Sequence, residues 1–236
     1  MSWVVAIGGQ KGGTGKSTVA QGLAVEAVRH GTITILADMD SAQQTSVKWG
    51  ERRRAAGIKP VIDIRLLRAV AGIAPLRRLC DLLVIDTPGQ AGRETLNLAR
   101  ASDLLLLTTD TNAIELEPTV MLVQSLQAGG IEDYRVGIAL TKVLDSRREA
   151  EARAYLKAAG YEALPVSLRF ERVTHDIGNR GLAVTEVTQK SVAEPGRAFF
   201  DGIADALAHA RGRMNEAQAA KTPEMDISRQ RGDRER

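Results

Sequence analysis

The sequence predicts an α/β fold, with a mostly parallel, twisted sheet that is covered by helices on both faces. Apolar segments of strand length alternate with helical patterns along most of the 236 residues, and this alternation is typical of a parallel sheet. The runs LLLLTT and VGIALT lack the polar alternation of a half-exposed strand, which indicates burial on both faces. A hydrophobic content of 44% is enough for one full core. Strands are predicted near residues 3–8, 33–38, 61–64, 82–86, 104–109, 136–141 and 163–167.

The first predicted strand leads directly into the segment KGGTGKST, residues 11–18, and then into a helical pattern. Strand, glycine turn and helix is the context that a phosphate-binding loop requires, and it places the fold among the P-loop NTPases. The glycines let the backbone wrap around phosphate oxygens, Lys16 neutralises them, and Ser17 holds magnesium. The amino end of the helix adds free N–H groups and a positive dipole. The predicted nucleotide contacts are Gly12, Gly13, Thr14, Gly15, Lys16, Ser17 and Thr18.

Two further predicted strands end in aspartates. ITILADMD ends in Asp38 and Asp40, and the strand in DLLVIDTPG ends in Asp86. The carboxyl ends of adjacent parallel strands converge on the crevice in which a ligand of an open α/β sheet lies. Magnesium on a nucleotide keeps several waters, so we expect Asp38 and Asp86 to act through those waters while Ser17 binds directly. Asp40 is not needed for the metal in this arrangement and is free to interact with the water that attacks the phosphate. The alternative for Asp38 and Asp40 is a role as strand-end turn residues.

The loop KGGTGKST resembles the deviant Walker A loop of the ParA and MinD family of dimerising ATPases, which has a second lysine near its start. The resemblance implies that Lys11 reaches across a nucleotide-sandwich dimer to the phosphates of the partner subunit. A cation supplied in trans offsets charge during phosphoryl transfer and makes dimerisation depend on the triphosphate. The alternative is a solvated loop lysine. The resemblance also implies that Asp40 positions or deprotonates the hydrolytic water. The catalytic candidates are Lys11, Lys16 and Asp40, with ATP and Mg²⁺ as ligands.

This chain departs from the family in one respect that bears on hydrolysis. In the family, the second aspartate is usually followed by Pro and Gln. Here residues 41–43 are Ser-Ala-Gln, which is a substitution with a shift of one residue.

The resemblance places the adenine near the ends of the last two strands. Thr141 and Lys142 end VGIALT, and Pro165 with Val166 opens the last predicted strand. Lys142 is alternatively a surface lysine. The family implies ATP, and the chain has no guanine-reading NKxD motif.

Two loops at the crevice have expected roles, one as a switch segment and one at the dimer interface. Thr87-Pro88-Gly89 follows Asp86, and a glycine there suits a segment that changes conformation with the γ-phosphate. The loop at 110–118 leaves the central strand, and the resemblance places it near the dimer interface. Within it, Glu115 and Glu117 are alternatively ordinary acids in the first turn of the next helix.

We expect residues 1–213 to form the ATPase domain and residues 214–236 to form a disordered, charged tail. The tail lacks the continuous apolar face of the membrane-docking helix of MinD-like proteins, so no membrane anchor is expected. The chain enters its first strand almost at once and contains no apolar run of spanning length, which predicts a cytoplasmic protein. Cys80 is the only cysteine. The nitrogenase iron protein, which shares the deviant loop, needs two per subunit and is disfavoured.

Net charge is a weak guide to partners, because 32 basic and 29 acidic residues give only +3. ParA-type ATPases contact DNA phosphates through basic residues near their carboxyl-terminal helices, without reading sequence. The chain resembles the short class, which lacks an amino-terminal helix-turn-helix and acts with a small centromere-binding partner protein. Each basic residue alternatively sits on a solvated face or pairs with an acid. The DNA-binding candidates are Arg169, Arg172, Arg180, Lys190, Arg197 and Arg211, with Arg213 nearby.

The predicted function is a nucleoid-associated switch that forms a homodimer on ATP and Mg²⁺, binds nonspecific DNA and releases it after slow hydrolysis. Its cargo would be a plasmid or a chromosome region. One alternative keeps the switch and carries a protein assembly, such as a chemoreceptor cluster or a carbon-fixing compartment. Another is a metabolic ligase that phosphorylates a carboxylate, but relatives of that kind lack the signature lysine that Lys11 supplies. A regulatory kinase is disfavoured because the tail has no tyrosine cluster to serve as its substrate.

Overall fold

The computed structural model describes residues 2–89 and 93–221. Strands and helices alternate along these residues, which confirms the predicted α/β class. The strands are β1 (Trp3–Gly8), β2 (Thr34–Asp38), β3 (Asp63–Leu66), β4 (Leu82–Asp86), β5 (Leu104–Thr109), β6 (Val136–Val143) and β7 (Leu168–Arg169). The helices are α1 (Lys16–Arg29), α2 (Thr45–Ala55), α3 (Ile73–Arg77), α4 (Arg93–Ala101), α5 (Ala113–Ala128), α6 (Ser146–Ala158), α7 (Arg172–Ile177) and α8 (Lys190–Lys221).

One seven-stranded sheet organises the molecule, in the order β3-β2-β4-β1-β5-β6-β7. Every pair of neighbouring strands is parallel. The chain leaves β1 toward one edge of the sheet and leaves β5 toward the other. The strand order therefore reverses beside β1, and such a reversal opens a ligand crevice at the carboxyl ends of the strands. The loop that follows β1 lies in this crevice.

Both faces of the sheet are buried, as the uninterrupted apolar strands predicted. Within β1, Val4 and Ala6 belong to a core that also contains side chains of α3, α4, α5 and α6. Their neighbours Val5 and Ile7 belong to a second core with α1, α2, α7 and α8. Because successive side chains of a strand point to opposite faces, the sheet separates two helical layers. None of the described helices is long and apolar enough to cross a membrane.

The last strand is shorter and later than predicted. The sequence predicts a strand at 163–167, whereas β7 is Leu168–Arg169 and Ala163 makes only an isolated bridge to Ile138. Pro165 lies between these two contacts and has no N–H to donate to a ladder. The chain therefore makes one bridge to β6 at Ala163, leaves it for four residues, and pairs with β6 again from Leu168.

Helix α8 extends beyond the predicted domain boundary at 213, because it ends only at Lys221. Its first half buries Phe199, Phe200 and Ile203 against the sheet, whereas most side chains after Ala210 are exposed. Residues 214–221 are thus helical and not a disordered tail, while residues 222–236 lie outside the described part of the chain. The segment lacks apolar periodicity, but Ala, Gln, Glu and Lys are strong helix formers and extend a helix that tertiary packing has already nucleated.

A buried ion pair fixes α2 to the segment that precedes α8. The side chain of Arg53 is 2% exposed and donates to both carboxylate oxygens of Glu186, at 2.6 and 2.9 Å. It also donates to the carbonyl oxygen of Gly181 at 3.1 Å. One helical turn away, Trp49 Nε1 donates to the carbonyl oxygen of Leu182 at 3.1 Å. Since an unpaired buried charge is strongly unfavourable, these contacts hold the two segments together as one unit.

Gly181 leaves no room for a side chain against α2. Its φ is +71°, and a Cβ there would lie 2.4 Å from the backbone nitrogen of Arg53. We expect Gly181→Ala to lower the free energy of unfolding by more than about 2 kcal/mol, measured by denaturant unfolding, because left-handed strain adds to the clash. The control is Gly178→Ala, since Gly178 has a φ of −60° and no atom within 4 Å of the added Cβ. Equal losses in both variants would contradict the tight contact.

Candidate nucleotide and magnesium site

The loop between β1 and α1 has the backbone of an anion-binding turn. Gly13 and Gly15 have φ of +84° and +83°, a region that residues with side chains rarely adopt. Gly15 is the N-cap of α1, and no side chain caps this end of the helix. The first N–H groups of α1 are therefore free for phosphate oxygens, as the motif predicted.

Buried threonines hold the loop against the sheet. Thr14 Oγ1 lies 2.9 Å from Thr108 Oγ1, on β5. Thr141 Oγ1, at the end of β6, lies 2.7 Å from the carbonyl oxygen of Thr14 and 3.2 Å from that of Thr109. The hydroxyl of Thr141 is thus directed at the loop backbone, which gives this residue a supporting role. A direct contact between Thr141 and the adenine stays a prediction.

The two lysines of the loop lie on different sides of it. Lys16 is buried, and its Nζ donates to the carbonyl oxygen of Lys11 at 2.8 Å. Burial lowers the pKa of Lys16, and the charge of Asp86 acts in the opposite direction. Lys11 Nζ donates to Glu115 Oε1 at 3.1 Å and to the carbonyl oxygen of Ile114 at 3.3 Å, at the start of α5. Lys11 therefore lies on the outer side of the loop, with its side chain 43% exposed.

Glu115 is both an acid in the first turn of a helix and a residue beside Lys11, near the predicted dimer interface. It lies in the first turn of α5, where an acid is favourable to the helix dipole. It also forms the ion pair with Lys11. Glu117 is exposed on the same helix. The sequence carried no signal for the pairing of Glu115, because the two partners are 104 residues apart in the chain.

Asp38 and Asp86 lie directly opposite each other at the ends of β2 and β4. Asp38 Oδ2 accepts from the backbone N–H groups of Ser46 and Val47, at 2.9 and 3.1 Å. Ser46 Oγ in turn donates to Asp86 Oδ2 at 2.7 Å. Ser46 is fully buried and thus links both carboxylates to the first turn of α2. Sequence reasoning missed Ser46, although a hydroxyl at the start of a helix after strand-end aspartates was an available signal.

Asp86 is the most perturbed carboxylate of the site. Burial raises its pKa to about 6, although hydrogen bonds from Ser46 and Ser17 act to lower it. Its Oδ1 is buried and has no hydrogen-bond partner among the described residues. A carboxylate oxygen without a partner beside the hydroxyl of Ser17 is suited to accept from metal-bound water. Burial also raises the pKa of Asp38.

The predicted magnesium residues therefore fit the ion. Ser17 would bind it directly, and Asp38 and Asp86 would hold its waters. When bound, Mg²⁺ neutralises charge on the phosphates. Among the described residues no three His, Cys, Asp or Glu side chains are grouped as a metal site. The protein thus offers the ion two carboxylates and one hydroxyl.

The side chain of Asp40 points toward the backbone of the residues that follow it. Its Oδ1 accepts from the N–H groups of Ala42 and Gln43 at 3.1 and 2.9 Å, and its own N–H donates to Asp38 Oδ1 at 3.0 Å. Gln44 follows with a left-handed φ of 51°, immediately before α2. The segment that departs from the family pattern is thus closed by a local turn. The role of Asp40 toward the attacking water stays a prediction.

A cavity of about 150 Å³ beside the phosphate loop is the candidate base pocket. Pro165 is not among the residues that line this cavity, and its carbonyl oxygen accepts from Arg153 at 3.0 Å. A contact between Pro165 and the adenine stays a prediction. Cavities of about 850 and 560 Å³ lie at the amino ends of the strands, away from the loop. The base pocket is lined by Gly15, Thr18, Thr141, Lys142, Leu168, Arg169, Phe170, Thr174 and Val184.

Part of the predicted DNA-binding set lies between β7 and the start of α8. Arg169, Arg180, Lys190 and Arg197 are exposed there. Lys190 and Arg197 are seven residues apart on α8, so they lie about two turns apart on one side of the helix. The side chain of Arg172 lies outside the described part of the structure.

Arg211 does not belong to this surface. Its guanidinium stacks over the ring of Trp3 at 4.7 Å and lies 3.9 Å from Asp103 Oδ2, at the amino ends of β1 and β5. A helix rises 1.5 Å per residue, so Arg211 lies about 30 Å along α8 from Lys190. Arg211 therefore lies apart from Lys190 and packs against Trp3 and Asp103, and a contact between Arg211 and DNA stays a prediction.

Comparison with known proteins agrees with this geometry. The model of the CobQ/CobB/MinD/ParA nucleotide binding domain matches residues 5–180. A comparison with curated protein sequences finds no match. The septum site-determining protein MinD of Pyrococcus horikoshii OT3, complexed with Mg-ADP, is 17% identical, with a TM-score of 0.67, over 94% of this chain and 99% of that one.

Two further solved structures are similar over comparable lengths. Apo McdA of Cyanothece is 18% identical, with a TM-score of 0.66, over 88% of this chain and 100% of that one. A putative plasmid partition protein of Borrelia burgdorferi, bound to AMPPNP, is 15% identical, with a TM-score of 0.68, over 87% of this chain and 99% of that one. At these identities the structures establish the fold.

The solved structures establish only the fold, whereas the match to the family model also establishes the family. It begins within β1, covers the phosphate loop and the two predicted magnesium residues Asp38 and Asp86, and ends after α7. The predicted P-loop fold, the ligands ATP and Mg²⁺, and ATPase activity are confirmed at the level of the family. The chain belongs to the CobQ/CobB/MinD/ParA family of nucleotide-binding domains.

Proposed function

We propose that this chain is a ParA-type switch ATPase that forms a homodimer on ATP and Mg²⁺, binds nonspecific DNA as the dimer, and segregates plasmid or chromosomal DNA. The position of Lys11 carries the proposal. Its ammonium lies on the outer side of the loop, on Glu115, while Lys16 occupies the inner side. A lysine in this position is poorly placed for its own nucleotide and accessible to that of a second subunit.

An apolar stripe beside Lys11 supports a dimer interface there. Ile114 and Met121 lie two helical turns apart on α5, and they are 66% and 61% exposed. The carbonyl oxygen of Ile114 is one of the two acceptors of Lys11. Large exposed apolar side chains grouped beside a functional residue are typical of a protein interface. A second subunit that brings its nucleotide to Lys11 would cover this stripe.

The nucleotide then acts as the switch. Lys16 and the loop amides hold the phosphates, Ser17 orients them with Mg²⁺, and Asp40 directs the attacking water once it leaves its local turn. Hydrolysis removes the γ-phosphate that Lys11 needs, so the dimer separates and releases DNA. A small centromere-binding partner protein would set the rate of this reset. The nucleoid would be the place of action.

The exposed basic residues before and within the first part of α8 would contact the DNA phosphates. Contacts of this kind are electrostatic and independent of sequence, and salt weakens them steeply. They lie next to the segment that the ion pair of Arg53 and Glu186 fixes to α2. The first turn of α2 holds Ser46 on the magnesium carboxylates. This connection supports a link between the proposed DNA surface and the nucleotide site.

Retention on nonspecific DNA tests the proposal. We expect the protein to be retained with ATP and Mg²⁺, to be released with ADP or without nucleotide, and to lose retention when the salt concentration is raised. The variant Lys190→Ala/Arg197→Ala should lose at least about tenfold in DNA affinity, because two phosphate contacts disappear. The control is Arg147→Ala on α6, whose side chain is 87% exposed and pairs with Glu151. Retention without ATP would contradict the nucleotide switch. No retention in any state would contradict DNA binding and turn the search to a protein partner or a metabolite.

A further inference from the structure

Lys142 has a backbone conformation that its neighbours do not share. Its φ is 55°, in the left-handed region that is costly for a residue with a side chain. The register between β6 and β7 shifts between Thr141 and Val143, on either side of it. Irregularities of this kind next to active sites change the direction of a side chain. Here both neighbours are buried and Lys142 is exposed at the end of the strand.

The irregular strand end directs the ammonium of Lys142 over the phosphate loop. Its Nζ lies 3.9 Å from the position that a Cβ would take on Gly13. Lys142 also lines the candidate base pocket, together with Gly15 and Thr18. Within residues 2–89 and 93–221 it forms no ion pair with an acid. A lysine on an ordinary solvated surface needs neither a strained backbone nor a strand irregularity.

The charge around Lys142 points to an anionic ligand. Lys16 lies within the loop, Lys11 lies on its outer side, and Lys142 lies over Gly13. The free N–H groups at the amino end of α1 add partial positive charge. Three cations and a helix terminus around one short loop create a potential that a polyphosphate relieves and an adenine does not.

We propose that Lys142 contacts a phosphate of the bound nucleotide in cis, as the third lysine of the loop, and not the adenine base. The contact forms within one subunit, so it acts on ADP and ATP alike and does not need the dimer. Lys11, by contrast, acts in trans and only on the triphosphate. The inference rests on nucleotide binding at this loop and is independent of DNA binding and dimerisation.

Displacement of a fluorescent ADP from the full chain distinguishes a contact of Lys142 with a phosphate from a contact with the adenine base. The competitors are ADP, AMP and inorganic pyrophosphate, with Mg²⁺ present. We expect Lys142→Ala to lose about tenfold in affinity for ADP and for pyrophosphate, a loss that shrinks as ionic strength rises. AMP should lose less, and Lys142→Arg should keep most of the affinity because it keeps the charge.

Two further variants control for folding and for net charge. Lys142→Gly removes the same ammonium and relieves the left-handed backbone, so it should stay folded and still bind like Lys142→Ala. Lys157→Ala, at an exposed position on α6, changes the net charge equally and should bind like the unaltered chain. A loss for ADP with unchanged affinity for pyrophosphate would overturn the proposal in favour of a base contact. Unchanged affinity for all three competitors would overturn it in favour of a solvated lysine.

Discussion

Asp86→Asn is expected to make the protein more stable at neutral pH. Burial holds the pKa of Asp86 at about 6 in the folded chain, above its ordinary value of 3.8. Ionised Asp86 therefore opposes folding, by about 3 kcal/mol at pH 7.5 from the difference between the two pKa values. Asparagine has the same shape, can still accept from Ser46 and carries no charge. The gain in the free energy of unfolding, measured with denaturant, should shrink as the pH falls below about 6 and vanish below about pH 3, where Asp86 is protonated in both the folded and the unfolded state.

The same substitution should weaken the contribution of Mg²⁺ to nucleotide binding. The metal would keep Ser17 and Asp38 but lose one of the two carboxylates that hold its waters, and asparagine cannot replace that charge. We expect Mg²⁺ to raise the affinity for ATP less in Asp86→Asn than in the unaltered chain, in titrations at pH 7.5. Asp205→Asn removes an exposed carboxylate from α8 and should change stability by less than about 0.5 kcal/mol. Loss of stability in Asp86→Asn at neutral pH would contradict the buried-charge argument.

Lys11→Ala is expected to abolish the ATP-dependent dimer while the monomer still binds nucleotide. The pair between Lys11 and Glu115 is partly exposed, so its loss should lower the free energy of unfolding by less than about 1 kcal/mol. Without a cation in trans, the partner's phosphates would lie uncompensated in the interface. Light scattering with ATP and Mg²⁺ measures the dimer, and ATP turnover should fall by at least about a hundredfold.

Glu115→Gln is the matched variant for Lys11→Ala. It breaks the same ion pair but leaves the lysine in place and free to move to a phosphate. The dimer should therefore survive in Glu115→Gln and be lost only in Lys11→Ala. A normal ATP-dependent dimer in Lys11→Ala would refute the trans role of this lysine and leave its exposed position without a function.

The local parts of the site are the parts that the sequence predicts. A phosphate loop is one continuous segment, and its glycines are needed for the backbone angles that Gly13 and Gly15 adopt. The aspartates that end β2 and β4 were identified in the same way, since parallel strands bring their carboxyl ends together.

The remaining parts depend on contacts between distant segments, which no local pattern encodes. Ser46 joins Asp86 across 40 residues, and Lys11 meets Glu115 across 104. The candidate base pocket is lined by residues 168–170 and not by Pro165, and the pairing of β7 with the end of β6 brings these residues to it. Each outcome was decided by tertiary packing, which routinely overrides local propensity.

Helix α2 connects the predicted magnesium site to the segment that precedes α8. It has 11 residues and is therefore about 16 Å long. At its first turn Ser46 binds Asp38 and Asp86, the two predicted magnesium residues. Near its last turn Arg53 binds the carbonyl oxygen of Gly181, a residue that has no room for a side chain against α2. A hydrogen-bonded helix does not compress, so a displacement of its first turn must be passed on to the contacts of Arg53. A Mg²⁺ ion held by Asp38 and Asp86 would therefore be linked through α2 to the segment that precedes α8.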